Sequence, residues 1–175
     1  MKVNFSKLHR LFYPQVPAIL SARSAGRVSA MPVVSYASVS ALPPLLVVAC
    51  DSAAYTLKLV LASRAFSLCL LDRRQVQAME RLATTSGRDI ADRLSDAGLG
   101  HTTGLELEVP VITGAEATLE CQLHSKRRLG DHLLLVGLVK ACYASGKFSD
   151  FWDFKAYRPV LYTGWRGGMT TYKGS

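Results

Sequence analysis

No apolar run in this chain approaches the ~18–20 residues that a membrane-spanning helix requires. The longest, Leu42–Cys50 and Leu133–Val139, are far shorter, so no membrane span is expected. Two common phosphate-binding loops are also missing. There is no G-x-G-x-x-G after a strand and no G-x-x-x-x-G-K-[ST], and Gly164–Gly168 has neither spacing. That excludes the usual dinucleotide turn and the P-loop. A G-x-S-x-G nucleophile elbow and an H-E-x-x-H pair are absent as well. His9, His101, His124 and His132 are scattered, and Cys121 with His124 cannot close a tetrahedral site, so no metal is expected.

Charge is sparse, at 19% of residues against 49% hydrophobic, which argues against disorder and leaves apolar surface for a partner. The net charge of +8 favours anionic partners. The basic clusters Lys126-Arg127-Arg128 and Arg73-Arg74 are not interleaved with aromatics; each reads as a solvated turn, and nucleic acid is disfavoured. Cys50, Cys69, Cys121 and Cys142 form no C-x-x-C pair and are expected to be buried free thiols. Lys2, Lys7 and Arg10 precede LFYPQVPAILSA, but Pro14 and Pro17 interrupt that apolar stretch. A mature N-terminus, with residues 1–14 as an extension, and a cytoplasmic location are expected.

A chain of 175 residues suits one domain, here 1–175. Ala18–Ser21 and Val28–Val34 flank Ala25-Gly26-Arg27 and read as a hairpin; a second is expected around Ala41–Pro44, where prolines stop the pairing. Tyr55–Ala62 reads as a short helix, Ala65–Leu71 as a strand and Arg73–Ala83 as an amphipathic helix. Helical spacing continues at Ile90, Leu94 and Ala97 until Gly98 and Gly100. Glu106 and Glu108 are placed on one strand face, turned to water. ATLECQLHS and HLLLVGLVKACYA form a third hairpin about the turn Lys126–Gly130. A short VLY segment follows Pro159, and the tail 164–175 reads as loop. Antiparallel hairpins interrupted by helices give a mainly β chain with peripheral helices, expected to be a small barrel.

Between Val28 and Asp51 the chain is rich in Ala and Ser, which lets a flat ligand approach the backbone closely. Hydroxyls beyond it, ending with Thr56, could bond an anionic tail. Thr56 sits at a helix start and is either a phosphate contact or an N-cap. Ser38 and Ser40 are ligand contacts or a solvated edge, and Cys50 is a ring contact or core. His132 either faces the site or bonds Asp131 in the turn. Lys58 and Arg64 either neutralise phosphate or stay solvated.

The strand AMPVVSYASVS, the Pro-Pro turn, LLVVACD, the Tyr-Thr helix start, AFSLCLL and RLGDHLLLVGLV follow one another over about residues 15–145. In this order they resemble the flavin reductase-like family of FMN-binding split barrels. The resemblance implies a six-stranded antiparallel barrel with Greek-key connections and a homodimer with FMN near its interface. It also implies NADH or NADPH as electron donor and a small molecule or redox protein as acceptor. It maps the ring onto the Ala30-Met31 step and Met31, Pro32, Val33 and Val34, with Ser38, Val39 and Ser40 and then Ala49, Cys50 and Asp51 alongside. Phosphate maps onto Tyr55 and Thr56, and Asp131 and His132 lie beside flavin or nicotinamide, His132 as the catalytic side chain. Pro32 stands where a threonine is common and removes both a hydroxyl and an amide donor. Leu42 stands where an acid often precedes the prolines. The expected activity is hydride transfer from NAD(P)H to flavin. The alternatives are a non-catalytic FMN-storage protein or a basic nucleic-acid-binding barrel.

Overall fold

In a computed structural model, the structure describes residues 2–164 and 168–171. Strand β1 (Ala18–Ser24) turns into β2 (Arg27–Val33) through Ala25 and Gly26, both at positive φ (49° and 73°). Such a two-residue turn matches the twist of the paired strands, and glycine is the residue that adopts it without strain. After Val34 and Ser35, β3 (Tyr36–Ser40) pairs with β4 (Leu45–Asp51) across the proline loop. Helix α1 (Tyr55–Ser63) leads into β5 (Ala65–Leu70); a 3-10 turn (Arg73–Gln75) then opens α2 (Val76–Thr84), followed by the short α3 (Arg93–Asp96). Strands β6 (His101–Thr103) and β7 (Pro110–Ile112) form a small sheet. The long hairpin of β8 (Ala117–Leu129) and β9 (His132–Ala144) follows, and β10 (Val160–Tyr162) pairs with β11 (Met169–Thr171).

The main sheet has seven strands in the order β2-β1-β5-β8-β9-β4-β3, each neighbouring pair antiparallel. The expected count of six is therefore corrected. AMPVVSYASVS, expected as one strand, bends at Val34-Ser35 into β2 and β3, the two edges of the sheet. At the bend the Ala49 amide donates to the Ser35 carbonyl (2.8 Å).

Period-two alternation sends side chains to two cores. Leu20, Val48, Phe66 and Leu135 pack together with Leu57 and Val60 of α1, whereas Ile19, Ala30 and Cys69 pack against Met79 and Leu82 of α2 and Leu94 of α3. Gly137 on β9 makes room for Phe66: a Cβ there would lie 2.7 Å from Phe66 Cζ.

Several expectations change. The third hairpin turns at Gly130-Asp131, and Lys126, Arg127 and Arg128 are paired residues of β8, because the strand pattern outlasts the polar composition. Glu106 and Glu108 lie in the loop before β7, where the amides of Leu105, Glu106 and Leu107 donate to the buried Glu120 carboxylate (2.7–2.9 Å) instead of to a neighbouring strand. Arg73 and Arg74 are exposed in a turn, as expected, and Arg74 additionally pairs with the buried acids Asp72 and Glu116. α3 begins only at Arg93, capped by Asp92, and leaves Ile90 outside it. Cys50, Cys69 and Cys121 are buried thiols, but Cys142 is exposed. Within the N-terminal extension Phe5–Phe12 forms a 3-10 helix, and the tail contributes β11; residues 165–167 and 172–175 lie outside the described residues.

Candidate functional site

α1 begins without a cap. Ala54 occupies the N-cap position with no side-chain bond, and the first turn contains no acid. The first N–H groups of a helix have no internal partner and carry the positive end of its dipole, so an uncapped start favours an anion. A groove of about 540 Å³ opens there, lined by Ser52, Ala53, Tyr55, Lys58 and Arg88 among others. It gathers two cations and no carboxylate. Below it, the buried Thr56 hydroxyl meets Ser29 Oγ at 2.9 Å. Thr56 is thus neither an N-cap nor an exposed hydroxyl; it ties α1 to β2.

The loop carrying Arg88 is fixed by Arg27, which donates to the carbonyls of Arg88 (2.6 Å), Ile90 (3.0 Å) and Gly87 (3.4 Å) and stacks its guanidinium over Tyr55 (5.4 Å). Gly87 is required by close approach, since a Cβ would lie 2.6 Å from Ser29 Oγ and 3.2 Å from Tyr55. Sequence reasoning missed Ser29, Gly87 and Arg88. Serine in an alternating strand carries no local mark of its partner, and the Ser86-Gly87-Arg88 turn signal, although visible, does not say which element it abuts.

The β8–β9 tip is joined to Ser52, a residue of the groove's lining. The Ser52 amide donates to the Asp131 carbonyl (3.0 Å), and Asp51 stands opposite His132 in the ladder. His132 Nδ1 lies 2.7 Å from Asp131 Oδ1, with 43% of the imidazole side chain exposed. This bond holds the Asp131 carboxyl below its ordinary value. His132 therefore makes the turn bond and stays partly exposed.

Met31, Pro32 and Val34 line a separate cavity of about 350 Å³ between β2, α2 and β10. Ala30 and Val33 are buried, Ala30 in the helix-covered core and Val33 in the inner one. Ala49 abuts Ser35, and two residues further, about 7 Å at ~3.4 Å per residue, Asp51 reaches His132. Ala49–Asp51 and Asp131-His132 thus lie together at one end of β4, with Tyr55-Thr56 following on the groove side and Met31, Pro32 and Val34 on the separate cavity.

Five candidate residues fall elsewhere. Cys50 points inward with Leu46 and Val48 and is 1% exposed, and burial pushes its thiol up to about 12, so its side chain is core. Ser38, Val39 and Ser40 lie at the opposite end of β4, Ser38 opposite Leu46 and Ser40 opposite Leu45. That is roughly 17 Å from Asp51 at ~3.4 Å per residue, so one anionic tail cannot use both Thr56's end and theirs. Arg64 stands at the far end of α1 and donates to the Leu123 carbonyl (3.3 Å), away from the groove. Among the described residues no three His, Cys, Asp or Glu side chains gather as a metal site, and no helix is long and apolar enough to cross a membrane.

Residues 8–164 match the family model described as flavin reductase like domain. A protein of Aeropyrum pernix, described as uncharacterized, is 34% identical over 164 residues, 93% of this chain and 62% of that protein. The chain therefore spans less than two thirds of that relative. A flavin reductase of Pseudomonas putida is 30% identical over 132 residues, 73% of this chain and 72% of the relative. An FMN-binding protein from Thermus thermophilus, solved with bound 1-cyclohex-2-enone, superimposes with a TM-score of 0.81 at 30% identity, covering 98% of this chain and 91% of that one. The chain belongs to the flavin reductase-like family.

Proposed function

We propose that the protein binds FMN and catalyses its reduction by NADH or NADPH, passing electrons to a small molecule or redox protein, as a cytoplasmic homodimer. The observation that carries this reading is the uncapped start of α1 facing Lys58 and Arg88 in an acid-free groove. The residues fit the phosphate of the cofactor: the backbone N–H groups that open α1, the Ser52 hydroxyl and two cations border the groove, while the Ala53 amide already donates to Asp51 Oδ1 (2.8 Å). From this end the ring is directed past Gly87 toward Met31, Pro32 and Val34, where Pro32 leaves recognition to packing and to neighbouring amides.

Bound flavin supplies the hydride acceptor, so no protein acid or base is needed for that step. The chain's own residues bind, orient and exclude water. Arg27 fixes the Arg88 loop, Thr56 anchors α1 to Ser29, and His132, oriented by Asp131 opposite Asp51, offers a donor. Exposed Phe5, Leu8, Leu11 and Phe12 are apolar surface that a second copy can cover, and the free buried thiols suit a reducing compartment.

Removing both cations in a Lys58→Ala/Arg88→Ala variant tests the phosphate assignment, since two charge-assisted bonds of about 1.5–3 kcal/mol each are at stake. FMN affinity should fall at least about tenfold by fluorescence titration, while riboflavin, which lacks the phosphate, binds as it does to the parent. Unchanged FMN affinity would remove this groove from the site.

A further inference from the structure

Arg93 opens α3 but turns back under α2. It is 6% exposed, its Nη2 donates to the carbonyls of Leu82 and Thr85 at the end of α2, and its Nε is buried without a partner. Among the described residues no carboxylate is in ion-pair contact with it; Asp96, bound by Arg81 (3.0 Å), acts on it only at longer range. The guanidinium also lines the 350 Å³ cavity, together with Tyr13, Tyr162, Met31, Pro32 and Val34. A buried cation is costly unless something answers its charge. The final carbonyls of a helix, at the negative end of its dipole, do so in part. Asp96 answers a further part, and Arg93 lines a cavity whose other walls are apolar or aromatic. Burial correspondingly pushes the guanidinium below the ordinary arginine range.

We propose that this cavity is an anion-stabilising subsite that takes the dione edge of the flavin ring, with Arg93 holding the negative charge that the ring gains on reduction. The proposal rests on the flavin reading above. The electron balance requires such a charge: hydride leaves the nicotinamide, two electrons and one proton arrive at the ring, and the ring becomes an anion while the nicotinamide becomes a cation. Arg93 is a positioning charge here, not a proton donor. Favouring the reduced ring over the oxidised one raises the midpoint potential, and for a two-electron couple each tenfold preference is worth about 30 mV.

The test is the midpoint potential of protein-bound FMN, measured by equilibration with a reference dye. Arg93→Met should lower it by at least about 30 mV, a tenfold loss of preference for the reduced ring, and Arg93→Lys should restore most of the difference. A purely structural role would weaken both redox forms alike and leave the potential in place. Because Arg93 also holds the end of α2, Ala83→Glu provides a second variant. Ala83 is an exposed residue lining the same cavity, and a carboxylate there opposes Arg93 while leaving its bonds to Leu82 and Thr85 intact. It should lower the potential in the same direction, with Ala83→Gln unchanged. Equal potentials in the parent, Arg93→Met and Ala83→Glu would overturn the subsite while leaving flavin binding standing. Failure of the parent protein to bind FMN would overturn the flavin reading and this proposal with it.

Discussion

Glu120 is fully buried, yet its carboxyl is held below the ordinary value of 4.5. Burial alone would raise it; the amides of Leu105, Glu106 and Leu107 and the Tyr143 hydroxyl reverse that effect. The folded state therefore prefers the ionised form, and the stability this contributes is present above the unfolded value and lost as pH falls below about 4.5. Glu120→Gln should cost about 1.5–3 kcal/mol at pH 7 by thermal or urea unfolding. The gap from the parent should narrow progressively below pH 4.5; a gap independent of pH would refute the assignment. Glu120 lies in a strand that reads correctly from ATLECQLHS, but its partners are backbone amides of a distant loop, which residue types do not encode. Thr56 gives the same lesson: a hydroxyl at a helix start is legible, whereas its capture by Ser29 depends on packing between α1 and β2.

At the level of elements, the hairpins and the two longer helices follow from the periodicity of apolar residues and from Gly26, Pro43 and Pro44. The boundaries that moved did so for tertiary reasons. Pairing with β9 carried β8 through its basic run, and the bend at Val34-Ser35 divided one expected strand. Gly137 shows how closely the elements fit: it stands opposite Leu46 and Leu123, and an added methyl would lie 3.0 Å from Cys121 Cβ as well as against Phe66. Gly137→Ala should destabilise the protein by about 1–3 kcal/mol through overpacking, read as a lower urea midpoint at unchanged slope. An unaltered midpoint would mean that Phe66 is free to shift.

For the whole molecule, the order of motifs was more informative than any one of them, because the candidate site residues come from four separate stretches of chain. What remained hidden were the cationic groups around β2: Arg27 opens β2, Arg88 lies in an unremarkable loop and Arg93 opens the short α3, and only folding sets Arg27 against the Arg88 loop and Arg93 against the cavity beside Met31 and Pro32. The central claim is that this site holds a flavin that nicotinamide can reduce. It is tested most directly by the visible spectrum of the protein with one equivalent of FMN, recorded anaerobically before and after addition of NADH or NADPH. A protein-bound flavin spectrum that bleaches without a second enzyme is the expected result. A protein that leaves the FMN free, or a bound spectrum that neither nicotinamide changes, would contradict the account.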